Sequence, residues 1–265
     1  MTAIDELFAK LNSNNQTAFM PFVTAGDPNL KFTSDLLLEL DRAGCNLVEL
    51  GFPYSDPIAD GPVIQESYTR ALSNGITVEK IFEMVTDVSG KMQMPIVSMV
   101  SFALIFRYGP EKFIADAKGA GISGAIVPDL PVDESGSFAN LCQLHNFNLV
   151  QLITPTTIDE RAVQIANSST GFIYYVSVSG ITGERNELPP ELTRRLTWLR
   201  EKTKTPVCVG FGISSPEQAA GLKPIADGVI VGSAIVKRIA NANGDHDGCV
   251  NEITTFAKQM VDALV

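Results

Sequence analysis

Eight short apolar runs separated by amphipathic stretches constrain this chain more than any other feature. The runs are Ala18–Val23, Asn46–Leu50, Pro95–Val100, Gly124–Val127, Asn148–Ile153, Phe172–Val176, Val207–Gly210 and Val229–Val231. Helical spacing fills the intervals at Lys31–Ala43, Gln65–Ser73, Val78–Ser89, Pro110–Ala117, Asp133–His145, Ile158–Asn167 and Glu191–Lys202, with shorter pieces at Pro216–Gly221 and Ala234–Ala240 and a last helix at Gly248–Leu264. Strand–helix alternation implies parallel pairing with right-handed crossovers. Eight such units in 265 residues fit an α/β fold of the closed (β/α)8, or TIM, barrel type. A doubly wound open sheet is the competing arrangement, but it usually opens with a glycine-rich dinucleotide turn. Here the first run exits through Thr24-Ala25-Gly26-Asp27-Pro28, which lacks that spacing. No Ser/Pro linker, charge block or low-complexity run divides the chain, so residues 1–265 are expected to form a single domain. An extra N-terminal helix, Asp5–Asn12, is expected to close the bottom of the barrel and to serve stability rather than chemistry.

The most unusual stretch runs from Leu47 to Gln65. Period-2 alternation puts Leu47, Glu49 and Gly51 on one strand face and Val48 and Leu50 on the other. A carboxylate inside a buried strand is unfavourable unless it is paired or used. The loop that follows carries Asp56 and Asp60 among Pro53, Pro57, Pro62 and Gly61, a density of rigid and permissive residues that shapes a turn. Paired to an arginine or a hydroxyl, Glu49 would be structural, and the two aspartates ordinary turn residues. Barrel enzymes place their chemistry at the C-terminal ends of the strands, and by that rule Glu49 and Asp60 share one rim.

Composition narrows the chemistry. Only two histidines are present, His145 and His246, and the four cysteines have no Cys-x-x-Cys spacing. No metal site and no Ser-His-Asp triad is expected from such a set, and the cysteines read as buried thiols of a reducing compartment. A net charge of −10 disfavours nucleic acid as a partner. No apolar run approaches the ~20 residues of a membrane helix, and a cytoplasmic protein without membrane attachment is expected.

The remaining candidates lie on the same rim. Strand 7 leaves through Gly210-Phe211-Gly212-Ile213-Ser214-Ser215 and strand 8 through Gly232-Ser233-Ala234. Glycine lets backbone approach a ligand, Ser215 and Ser233 read as N-caps, and helix N-termini attract phosphate. Phe22, Val100, Ile153, Phe211 and Ile230 are expected to face inward near the rim as an apolar wall. Tyr174 shares the inward parity of strand 6. The segment from Ser177 to Pro189, with two glycines and no apolar period, is expected to form a lid.

These segments resemble the tryptophan synthase alpha chain family. The resemblance rests on Leu47-Val-Glu-Leu-Gly-Phe-Pro-Tyr-Ser-Asp-Pro-Ile-Ala-Asp-Gly-Pro-Val-Ile-Gln. It extends to Pro21-Phe-Val-Thr-Ala-Gly-Asp-Pro, Pro128-Asp-Leu-Pro, Gly180-Ile-Thr-Gly, Gly210-Phe-Gly-Ile and Val231-Gly-Ser-Ala-Ile-Val in the same order. It implies a barrel lyase that cleaves indole-3-glycerol phosphate to indole and glyceraldehyde 3-phosphate, with Glu49 and Asp60 as the catalytic carboxylates. It also implies substrate contacts at Phe22, Val100, Ile153, Tyr174, Thr182, Gly183, Phe211, Gly212, Ile230, Gly232 and Ser233. The implied partner is a beta chain in an αββα heterotetramer, met partly through the loop carrying Asp56. Pyridoxal phosphate is expected only in that partner, and no cofactor in this chain. Val178 and Pro128 depart from residues common in the family.

Three other readings remain at this stage. One is a lyase acting without a partner. Another is a different phosphate-binding barrel, which would need a metal cluster or a strand-end lysine. The third is a non-catalytic regulatory barrel.

Overall fold

The computed structural model describes every residue except 58–59, 178–188 and 211. Eight parallel strands close into one barrel in sequential order. They are β1 (Ala18–Thr24), β2 (Val48–Gly51), β3 (Ile96–Met99), β4 (Ile122–Ile126), β5 (Asn148–Ile153), β6 (Ile173–Val176), β7 (Val207–Gly210) and β8 (Gly228–Val231), and β8 pairs back onto β1. The helices are α1 (Ala3–Ser13), α2 (Leu30–Arg42), α3 (Pro62–Ser73), α4 (Val78–Ser89), α5 (Phe102–Tyr108), α6 (Pro110–Ala120), α7 (Gly136–Leu144), α8 (Asp159–Ser168), α9 (Pro190–Lys202), α10 (Pro216–Leu222), α11 (Ser233–Asn241) and α12 (His246–Leu264). All eight strand runs and the expected helices are present, most within two or three residues of their expected bounds. The sequence reading missed α5. At seven residues it is too short to show a full helical period, and Ser101 starts it by accepting a hydrogen bond from the Ala103 amide. Gly109, at φ +95°, ends it directly before Pro110.

Strand parity sorts the core into two layers. Val48 and Leu50 of β2 join the large cluster between sheet and helices. Leu47 joins Ala18, Met20, Val97, Ile126, Val150, Cys208 and Ile230 inside the barrel. The register places Glu49 between Phe22 of β1 and Val97 of β3, which fixes it in the interior. Val100 and Ile153 correct the expectation of an inward pair. Both are fully buried and belong to the outer cluster. On β3 the inward positions are Val97 and Met99, and on β5 they are Val150 and Leu152, so residues 100 and 153 fall on the other parity.

Helix α1 seals the N-terminal ends of the strands, as expected. Ile4, Phe8 and Leu11 enter the interior cluster, and the Phe8 ring meets Phe172 at 5.8 Å. Its first turn is held by a capping box between Thr2 and Asp5 and is tied to β5, where the Thr2 hydroxyl donates to Asn148 and the Asn148 amide donates to Asp5. All four cysteines are buried and unpaired. No described helix is long and apolar enough to cross a membrane.

Because α1 lies at the end opposite Glu49, its packing and the chemistry are expected to separate. Phe8→Ala is expected to lower unfolding free energy by about 3–5 kcal/mol in urea titrations, with KM for the substrate unchanged. A matching change in KM would place α1 in the site.

Candidate active site

Glu49 is 1% exposed, and neither carboxylate oxygen has a hydrogen-bond partner among the described residues. Among the described residues, then, no arginine or hydroxyl pairs with it as a structural glutamate would require. Burial, reinforced by the negative charge of Asp60, pushes its pKa up from 4.5 to about 8. It is a carboxylic acid held protonated at neutral pH and close to the point at which it can exchange a proton.

Asp60 sits where the β2–α3 loop turns into α3. Its amide donates to the carbonyl of Pro57 at 3.0 Å, and the Gln65 side chain donates to its carbonyl at 2.8 Å. The Tyr54 hydroxyl donates to Oδ2 at 3.3 Å. Partial burial pushes Asp60 up to about 6, against the lowering effect of Tyr54. The two carboxyl groups thus titrate in separate ranges, an arrangement that lets one carry a proton while the other stays ionised.

Two glycines open the space around Glu49. A Cβ on Gly51 would lie 2.5 Å from the Phe22 ring, so only glycine lets that ring cross the strand end. On Gly210 a Cβ would collide with the Tyr174 hydroxyl. Phe22 is buried and packs with Ile64, Tyr68, Tyr54 and Met99 in a rim cluster. Tyr174 and Ile230 face the barrel interior, and burial with the charges of Glu49 and Asp60 holds the Tyr174 hydroxyl well above its ordinary ionisation range.

Across the rim, Gly212 has φ +80°, and Ser215 caps α10 by accepting from the Gln218 amide. Ser233 corrects its expected role. It is the first residue of α11 and Gly232 is the cap, with no side-chain capping bond. The first amides bonded within α11 are those of Ile235 and Val236, both to the Gly232 carbonyl. The exposed Ser233 thus stands at a helix start that no described side chain closes, a better arrangement for an anion than the one expected. Asp56 is exposed on the β2–α3 loop and accepts from Ser55. Thr182, Gly183, Phe211 and Val178 lie outside the described residues. Among the described residues no cluster of side chains could hold a metal ion.

Several neighbours of the site escaped the sequence reading. Tyr54 and Tyr68 pack ring against ring at 5.5 Å. On the β4–α7 loop, Asp129 accepts from the Ser101 hydroxyl and the Phe102 amide, both at 2.7 Å, and so anchors α5 to the rim. A signal for Tyr68 did exist. Ile64, Ser67, Tyr68 and Ala71 are the buried positions of α3, at the i, i+3, i+4, i+7 spacing of a core-facing stripe.

A closed parallel barrel with two carboxyl groups of separated pKa beneath an aromatic rim, facing an uncapped helix start, defines an acid–base enzyme of the (β/α)8 class. Similarity narrows the class. The profile of the family described as "Tryptophan synthase alpha chain" matches residues 8–265. The tryptophan synthase alpha chain of Rhodopirellula baltica is 50% identical over 245 residues, which cover 91% of this chain and 88% of that protein. The crystal structure of tryptophan synthase subunit alpha from Legionella pneumophila str. Paris aligns with a TM-score of 0.92 at 34% identity, over 100% of this chain and 98% of that one. A chain of the tryptophan synthase a2b2 complex from the hyperthermophile Pyrococcus furiosus aligns with a TM-score of 0.88 at 37% identity, over 93% of this chain and 98% of that one. The chain belongs to the tryptophan synthase alpha chain family, whose lyase reaction is the cleavage of indole-3-glycerol phosphate in tryptophan biosynthesis.

The unpaired Glu49 has a consequence for stability. Its proton is held more tightly in the folded than in the unfolded chain, so between about pH 4.5 and about 8 stability falls as pH rises. Glu49→Gln removes that penalty. The variant is expected to be more stable than the parent by a few kcal/mol at pH 8, with the difference shrinking to about 1 kcal/mol or less at pH 5. Urea unfolding across that range checks it, and a difference independent of pH would mean that Glu49 is ionised in the folded chain.

Proposed function

We propose that Glu49 and Asp60 divide the acid–base work of indole-3-glycerol phosphate cleavage in this chain, with no cofactor of its own. The observation that carries the reading is the buried carboxyl of Glu49, both oxygens unpaired among the described residues, coupled to the charge of Asp60. Cleavage is a retro-aldol step. Indole C3 must accept a proton, the ring N–H must share the positive charge that develops, and the side-chain hydroxyl must lose its proton as a carbonyl forms and the carbon–carbon bond breaks. Glu49, protonated at neutral pH, gives its proton to C3 and as a carboxylate takes the hydroxyl proton. Asp60, with its pKa near 6, is ionised at pH 7 and accepts from the ring N–H, where its charge offsets the developing positive charge.

The flat ring is assigned to the wall made by Phe22, Tyr174 and Ile230, with Phe211 as a further contact on sequence grounds. Val100 and Ile153, behind the sheet, are assigned to shaping that wall rather than touching the ring. The phosphate is assigned to Gly212, Gly232 and Ser233, because the unclosed start of α11 offers backbone donors without any lysine. Thr182 and Gly183 are assigned to substrate contact on the family resemblance. Indole passes to a beta chain, which holds the pyridoxal phosphate, and exposed Asp56 is assigned to that contact. A non-catalytic regulatory barrel is disfavoured because it has no use for an unpaired buried acid. A cytoplasmic location follows from the biosynthetic role.

Glyceraldehyde 3-phosphate release, followed in a coupled assay, tests the division of labour. Glu49→Gln is expected to lose about 10²–10⁴-fold in kcat with substrate still bound, and Asp60→Asn a comparable loss with the fold intact. Wild-type turnover in Glu49→Gln would remove the assignment. An Asp60→Asn effect limited to melting temperature would reduce Asp60 to a turn residue. Size-exclusion chromatography with a beta chain should show co-elution and faster cleavage, whereas separate elution at micromolar concentration would favour a lyase acting alone.

A further inference from the structure

Besides Glu49, one buried polar group at the rim has no partner among the described residues. It is the Tyr68 hydroxyl, on a residue 1% exposed. Burying a hydroxyl without a hydrogen bond is unfavourable, so an orphan of this kind points to a partner acquired at another stage of the reaction. Helix α3 aims the ring into the cluster of Phe22, Ile64 and Tyr54. The hydroxyl ends beside Gly51, 3.1 Å from where a Cβ would stand. Gly51 lies two residues beyond Glu49 on the same strand face, so the hydroxyl and the unpaired carboxyl border one space at the end of β2.

We propose that Tyr68 is a positioning residue whose hydroxyl donates a hydrogen bond to the Glu49 carboxylate once Glu49 has given its proton to the substrate. The inference rests on Glu49 being the proton carrier. No proton is transferred by Tyr68. The O–H turns toward the new anion, stabilises it, and releases it when Glu49 recovers a proton from the substrate hydroxyl. In the resting state Glu49 is a neutral acid and the bond is absent, as observed. Asp60 is the other candidate acceptor, but it already receives the Tyr54 hydroxyl, whereas both oxygens of Glu49 are without a partner among the described residues.

Among the described residues, the charged and titratable groups around this space are Glu49 on β2, Asp60 and Tyr54 on the β2–α3 loop, and Tyr174 on β6, with Asp129 acting on Tyr54 and Cys208 on Tyr174. Burial, with the charges of Asp60 and Glu49, keeps the ionisation of Tyr68 well above 10. The phenol therefore remains a donor throughout the working range.

Tyr68→Phe, which keeps the ring and removes only the donor, tests this in the full chain assayed with its beta chain. A hydrogen bond made only to the ionised group acts after substrate binding. The expected result is a fall in kcat of about tenfold or more with KM little changed. In kcat/KM against pH, the upper transition, due to Glu49, should move up by about one unit while the lower one, due to Asp60, stays in place. Unchanged kcat and pH profile, or a shift confined to the lower transition, would overturn the proposal.

An activity-independent measurement runs beside it. Freed of an unsatisfied hydroxyl, the variant should be more stable than the parent in urea at pH 5, and that advantage should shrink above pH 8, where Glu49 ionises. Parallel pH dependences of the two proteins would overturn the proposal as well. Glu49→Gln separates the two levels of inference. If it keeps turnover, the underlying reading fails; if it is inactive while Tyr68→Phe behaves as the parent, only the role of Tyr68 fails.

Discussion

A carboxyl group with no partner among the described residues, inside a closed barrel, is the constraint around which this molecule is arranged. Glu49 sits on an interior position of β2 with both oxygens unsatisfied, and the strands on either side present Phe22 and Val97 at its level. In that setting the ionised form loses its hydration and the proton is retained. The nearby charge of Asp60 adds to the effect. The site therefore holds a neutral acid and, on the loop that follows its strand, an aspartate of lower pKa. Glycines at 51 and 210 keep the space above them open for the Phe22 and Tyr174 rings.

An arrangement that is unfavourable at the site must be supported elsewhere. The N-terminal end of the barrel is filled by Ile4, Phe8 and Leu11 of α1 against the interior layer, and the hydrogen bonds of Thr2, Asp5 and Asn148 pin that helix to β5. At the rim, the carboxylate of Asp27, fully buried on the β1–α2 loop, receives a two-pronged hydrogen bond from Arg70 of α3 at 2.9 and 2.7 Å. Thr24 and Ser67 add a hydroxyl contact between β1 and α3 at 2.7 Å. Both contacts fix α3, the helix that begins just after Asp60 and carries Tyr68. The orientation of the rim is thus set by polar contacts that are satisfied, around a carboxyl that is not.

Under the proposed phosphate site, the acidity of the chain, net −10, and an anionic substrate are compatible because attraction for phosphate is local. The left-handed turn at Gly212 and the unclosed start of α11 present backbone dipoles rather than side-chain charge, and such donors work at short range whatever the distant surface carries. The same arrangement keeps lysine away from Glu49, where a cation would pull its pKa down and remove its proton at neutral pH.

The sequence by itself determined the barrel, because eight repeats of strand and helix leave few ways to bury both faces of a parallel sheet. It also determined that Glu49 faces inward, since strand parity is local geometry. Parity failed at Val100 and Ile153, because these strands are buried on both faces and carry apolar residues at both parities, so the apolar run does not say which face is the inner one. Propensity likewise proposed Ser233 as a cap, while the bond pattern of α11 gave that place to Gly232. Only the tertiary structure could decide that Glu49 has no partner among the described residues and that Tyr68 shares its isolation, because a missing hydrogen bond is a property of everything packed around a group. Those neighbours come from β1, β3, α3 and the β2–α3 loop, and distance along the chain carries no record of their meeting.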